Sequence, residues 1–171
     1  MDYTNYEEGI WVGYRYFEKA KRDVSYPFGF GLSYTTFTYS KPTVKATADG
    51  FTATVTVTNT GKVAGKEAVE LYVSAPAGGM VKPEKELKAF AKTGMLQPGQ
   101  SQVLTFNVSN YELASFNQNA NRWEAAPGTY TVKFGASSAD IPVSAPYKLG
   151  KQQTWKVSDA FLNVAIKEIE L

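Results

Sequence analysis

Two adjacent carboxylates, Glu7 and Glu8, stand beside Tyr3, Tyr6, Trp11 and Tyr14. Carboxylates accept hydrogen bonds from hydroxyls and aromatic faces stack on sugar C–H surfaces, so the grouping has the vocabulary of a saccharide pocket containing an acid. The competing reading is a connector whose rings cover a neighbouring domain, and this is the one taken forward. Without that neighbour, some of the rings would form an exposed apolar patch. Trp123 and Trp155 suggest a second stacking platform. Against it, Trp123 falls in a strand, where an indole packs in the core or between sheets. A third candidate is the stretch from Ser74 to Lys85, in which Ala75-Pro-Ala-Gly-Gly79 is a breaker cluster and therefore a loop. It carries Met80, Lys82 and Lys85, either as a functional loop or as a variable surface one. The candidate interaction surface is thus Tyr6, Trp11, Tyr14, Tyr16, Met80 and Lys82.

The 171 residues contain no histidine and no cysteine. Ser-His and Cys-His nucleophiles, imidazole and thiolate metal ligands, and disulfides are therefore excluded. Carboxylates, Lys, Tyr and backbone dipoles remain as the chemical vocabulary, and no metal site or cofactor is expected. Gly29-Phe-Gly31 lacks the third glycine or the Lys-Ser/Thr of a phosphate loop, and no helical pattern begins there; a tight connection explains it better. Asn107-Val-Ser109 has the form of a glycosylation sequon but lies in a strand and is read as chance. A formal charge of +2, spread evenly, gives no nucleic-acid footprint, and no apolar run is long enough to span a bilayer. Neither nucleic acid nor a membrane is an expected partner. Met1 leads into Asp2, Tyr3, Thr4 and Asn5, without the basic start or apolar stretch of a signal peptide. The chain reads as a piece of something longer.

The elements behind these candidates are strands. Phe51, Ala53, Val55 and Val57 alternate with Thr52, Thr54, Thr56 and Thr58, the pattern of a half-buried strand with a β-branched polar outer face. Val69, Leu71 and Val73 alternate with Glu70, Tyr72 and Ser74, and Leu104, Phe106 and Val108 mark a third strand. Glu86 to Met95 is a less regular strand. Ser109 to Leu113 suits a single helical turn capped by Ser109 or Asn110. Arg122 to Ala125, the Pro127-Gly128 turn and Thr129 to Gly135 read as a hairpin with Tyr130, Val132 and Phe134 on its apolar face. About seven short strands at this spacing predict an all-β, antiparallel sandwich of the Ig or fibronectin type. Residues 151–171 contain a Thr154–Val157 strand candidate, then a stretch from Asp159 to Leu171 that suits a terminal strand or a short helix.

Two sets of motifs go further. The first is Tyr6-Glu-Glu-Gly-Ile-Trp-Val-Gly-Tyr-Arg-Tyr-Phe17 with Tyr26-Pro-Phe-Gly-Phe-Gly-Leu-Ser-Tyr-Thr-Thr-Phe37. It resembles the passage of family 3 glycoside hydrolases from their α/β sandwich domain into their C-terminal module. The second runs through Val57–Lys66, Val69–Val73, Lys85–Phe90, Leu96–Gly99, Pro127–Tyr130 and Gly135–Ser138. It resembles that family's fibronectin type III-like domain almost end to end. The likeness covers roughly residues 3 to 141, and Phe30 departs from it where the family frequently carries His or Tyr.

The resemblance implies a division into a connector (1–33), a fibronectin type III-like sandwich (34–145) and a C-terminal extension (146–171). It also implies a parent that hydrolyses O-glycosidic bonds, like a β-glucosidase or β-xylosidase, with an Asp nucleophile in a barrel and a Glu acid/base in the α/β domain. No position here matches either motif, so the chain is expected to be inactive alone. The implied partners are the parent's catalytic domains, with a polysaccharide bound through exposed aromatics as the alternative. In such a parent the 74–85 loop would lean toward the substrate entrance.

Overall fold

The computed structural model describes residues 7–157, and within them the chain is built almost wholly of antiparallel strands. The longest, β3 (Gly50–Asn59), takes its form from the threonine alternation: Phe51, Ala53, Val55 and Val57 are buried while the intervening threonines are not. The short strands β1 (Phe37–Tyr39) and β2 (Thr43–Ala46) pair along one edge of β3, and β6 (Ser101–Ser109) pairs along the other. This makes the first sheet. The second has the order β10-β9-β4-β5, from β4 (Ala68–Ser74), β5 (Glu86–Lys92), β9 (Gly128–Gly135) and β10 (Val143–Leu149).

The inner faces of the two sheets meet in one core. Phe51, Val55, Val57, Phe106 and Val108 come from the first, and Val69, Leu71, Val132, Phe134 and Tyr147 from the second. Phe106 and Phe134 touch across it with ring centroids 5.5 Å apart. Tyr147 donates from its buried phenol to the Asn110 side-chain oxygen at 2.8 Å, tying β10 to the end of β6. Asn59, fully buried, organises the opposite end: its amide donates to the carbonyls of Val63 and Leu96, both at 2.8 Å, and its oxygen accepts from Thr35 Oγ1 at 2.7 Å.

Three expectations need correction. Residues 122–135 are not a hairpin: β8 (Arg122–Ala125) pairs with β7 (Ser115–Asn117) and β11 (Gln153–Lys156) in a separate three-stranded sheet, and β9 pairs with β4 and β10. The sandwich does not stop at 145, because β10 continues in register with β9 as far as Leu149↔Gly128. Trp123 is only half-buried in the small sheet, not a core residue. The expected helical turn after β6 is present as the 3₁₀ turn Tyr111–Leu113. Residues 158–171, where a terminal strand or helix was expected, lie outside the described residues.

The segment before β1 is not a free tail. It contains a short helix, α1 (Tyr14–Lys19), and lies against the outer face of the second sheet. Its effect shows on β4, where alternation points Tyr72 away from the core, yet Tyr72 is fully buried. Tyr14 packs edge-on against the Tyr72 ring at 5.8 Å, and Lys85 Nζ lies 5.9 Å from the ring centroid. Such a lid over a second apolar face explains why an outward-pointing aromatic was placed there.

Candidate functional site

The lid is the region with the most chemistry. Tyr14 Oη accepts the backbone N–H of Leu87 at 2.8 Å, and the Tyr14 ring lies 5.3 Å from that of Phe28. Glu18 Oε1 pairs with Lys85 Nζ at 2.7 Å, and both side chains are largely buried. Glu18 Oε2 is buried too and has no hydrogen-bond partner among the described residues. Arg15 reaches Glu86 at 3.7 Å. Phe28 accepts the backbone N–H of Ser138 through its carbonyl at 2.8 Å, fixing the strap from Tyr26 to Gly31 over the sheet. Gly29 is required where that strap crosses Glu70: its φ is +82°, and a Cβ there would lie 2.5 Å from the Glu70 carboxylate oxygens. Glu70 in turn accepts the Tyr72 hydroxyl at 2.6 Å. Burial, then the contact with Glu70, pushes the Tyr72 phenol well above its usual range, and burial raises the Glu70 carboxyl.

Between α1 and the strap lies a cleft of about 530 Å³, walled by Phe17, Tyr26 and Phe28, with Glu18 at one side and Lys21 and Asp23 among the residues lining it. From the cleft wall onward the chain presents apolar side chains at every second position: Tyr26, Phe28, Phe30, Leu32 and Tyr34 are all exposed, Leu32 to 92% and Tyr34 completely. Tyr26 and Phe30 touch at 4.9 Å, so the first rings of this row form one surface.

The residues singled out by sequence separate accordingly. Tyr14 is structural on one side and lines the cleft on the other. Tyr16 is exposed and packs edge-on against Phe17 at 5.5 Å. Trp11 is half-buried with Lys19 Nζ 5.8 Å from its ring centroid, and Glu7 and Glu8 are exposed close by. Tyr6 lies outside the described residues. Met80 is exposed on the 74–85 loop. Lys82 on the same loop points back to the protein and donates to the Leu113 carbonyl, and burial lowers its ammonium pKa. Trp123 and Trp155 are direct cross-strand partners in the small sheet, with Phe116 opposite Trp123. Tyr111 lies 5.7 and 5.3 Å from the two indoles in edge-to-face contacts, so each ring is already engaged by its neighbours. Glu18 went unnoticed in the sequence, Phe28 entered only as part of the Tyr26–Phe37 motif, and Gly29 was read as a tight connection, where its positive φ and the close Glu70 now stand.

Comparison with known proteins agrees with this geometry. A family model described as fibronectin type III-like domain matches residues 67–138. The chain is 44% identical to a probable β-glucosidase K of Emericella nidulans, over 89% of its own length and 18% of that protein's. It is equally identical to β-glucosidase A of Butyrivibrio fibrisolvens, with 88% and 21% covered. The solved structure of β-glucosidase 3B from Thermotoga neapolitana in complex with α-D-glucose superimposes with a TM-score of 0.85 at 41% identity, covering 89% of this chain and 21% of that one. The sandwich is therefore a fibronectin type III-like domain. The chain is a relative of the C-terminal region of family 3 glycoside hydrolases, and spans about a fifth of the length of the curated relatives it matches.

Proposed function

We propose that the chain is a non-catalytic accessory module of a family 3 glycoside hydrolase of the β-glucosidase type. It stabilises the α/β domain it adjoins and helps to shape substrate access. In this reading residues 1–33 are the connector from that domain, the sandwich is the rigid body, and the segment after it is an extension. The observation that carries the proposal is the two-sided connector: one side is fastened to the sandwich through Tyr14, Glu18 and Phe28, and the other leaves Tyr26, Phe30 and Leu32 facing outward. Retaining hydrolysis requires two carboxyl groups roughly 5 Å apart across the scissile bond. Glu7 and Glu8, the acids closest to the aromatic group at the start of the chain, are both exposed.

The test is hydrolysis of aryl β-glucosides and aryl β-xylosides by the isolated chain, purified free of host glycosidases. No turnover is expected. Release of the aryl group that persists through purification and follows the chain on a sizing column would overturn the proposal.

A further inference from the structure

We infer that a second groove, bounded by the small sheet, the 74–85 loop and β5, is a binding site for a neutral oligosaccharide. This goes beyond the accessory-module reading and does not depend on it, so either can fail alone.

At about 580 Å³ the groove has the size of a small-molecule site. Three contiguous rings form one wall: Trp123 lies 5.7 Å from Tyr111 and 5.6 Å from Phe116, both in edge-to-face contacts. Those contacts do not use the rings up, since Tyr111 and Phe116 stay 46% and 38% exposed. Beside them stands Glu86 between two cations, with Arg15 Nη2 at 3.7 Å and Lys88 Nζ at 3.4 Å. Both contacts are long for charge-assisted bonds, so the guanidinium and the ammonium keep donors to give. An aromatic wall next to alternating donors and acceptors is the recognition chemistry of a sugar. Its C–H faces cover the rings, and its hydroxyls, each donor and acceptor at once, bridge the acid and the cations.

The charges select the class of sugar. Arg15 and Lys88 are offset by Glu86 and Glu112, the other charged residues lining the groove, so a phosphate, a uronic acid or an acidic peptide gains little there. A wholly apolar occupant would strand the same four groups. Lys82 gives the site a fixed shape: it donates to the Leu113 carbonyl and so fastens the loop whose Met80, Val81 and Pro83 complete the lining.

The experiment is an NMR titration of the isotope-labelled chain with cellotetraose, laminaritetraose and xylotetraose, with tetragalacturonate as the charged control. At least one neutral sugar is expected to shift the Trp123 indole N–H and the Arg15 Nε–H saturably, leaving the Trp11 indole unmoved. Phe116→Ala and Lys88→Met are each expected to weaken that binding by about tenfold or more. Lys88→Met keeps the packed stem of the side chain, so it reads the site even if Phe116→Ala loosens the small sheet. No saturable shift with any of the three neutral sugars overturns the inference. So does binding that Lys88→Met leaves at full strength, or tighter binding of tetragalacturonate than of the neutral sugars. A chimaera in which this chain replaces the matching segment of the Thermotoga neapolitana β-glucosidase 3B supplies the last arm. Hydroxyl-radical labelling of Tyr111 and Phe116 is expected to persist there and to fall when the sugar is added. Labelling already lost without sugar would make the rest of that protein the occupant of the groove, and would also overturn the inference.

Discussion

The phenol of Tyr14 accepts the backbone N–H of Leu87, 73 positions further along the chain, at 2.8 Å. Leu87 lies in β5, the last strand of its sheet, whose free edge would otherwise offer unpaired donors to another chain. A side chain from the connector thus closes part of an exposed edge. Tyr14→Phe keeps the ring contacts with Phe28 and Tyr72 and removes only the acceptor. A loss of about 1 kcal/mol is expected by urea denaturation, with faster exchange of the Leu87 amide as the local signature.

Asn59 should be the most sensitive polar position. Asn59→Ala removes four hydrogen bonds of 2.7–3.0 Å from a fully buried side chain: the Val63 carbonyl and the Thr35 hydroxyl lose this partner, while the Leu96 carbonyl keeps the Gly65 N–H and the Gly61 N–H keeps only its longer bond to the Thr36 carbonyl. A cost of about 3 kcal/mol is expected by denaturant titration.

Two half-buried glutamates set a pH dependence. Burial raises the carboxyls of Glu67 and Glu70 above the ordinary 4.5, although each accepts a tyrosine hydroxyl that pulls the other way. The folded chain therefore holds these protons more tightly than the unfolded one. Their contribution is complete below 4.5 and is lost as the pH rises through the folded values. Glu70→Gln should raise the Tm at pH 7 by about 2 °C, and the gain over the parent chain should shrink as the pH is brought down to 4.5. A gain that grows on acidification would contradict the burial argument.

Gly29→Ala tests the strap. The Glu70 carboxylate can swing away from the new Cβ, but alanine resists a φ of +82°, so the strap is expected to loosen while the sandwich core stays intact. Limited proteolysis should cut between residues 22 and 34 at least several-fold faster, with little change in the main unfolding transition.

How much of this was legible depends on how local the cause is. The threonine alternation of β3 and the Leu104–Phe106–Val108 pattern of β6 are local, and both strands formed where the period placed them. The partner of β8 is not local: a Pro-Gly turn follows it, but its actual neighbours, β7 and β11, are joined by pairing of Trp123 with Phe116 and Trp155. The burial of Tyr72 was not legible for the same reason, since an outward position in a strand is solvent-facing only if nothing covers the sheet. Of the cleft the sequence singled out Tyr14 alone, and its acid was illegible, because Glu18 matters through Lys85, which arrives from 67 residues away. Tyr14 was the one candidate whose surroundings joined both halves of the site.

The outer threonines of β3 have a consequence for orientation. Thr54 bonds Thr43, Thr52 bonds Asn107 and Thr58 bonds Ser101, all at 2.6–2.7 Å, so that flank is a tiled lattice of short hydroxyls and amides satisfied among themselves. These three pairs meet each other's hydrogen bonds within the sheet, and Val103 is a large apolar side chain exposed beside them. The opposite flank carries the connector and its rings. A body with one indifferent side and one adhesive side behaves like a tile with a glazed front and a rough back: it has one way to be laid.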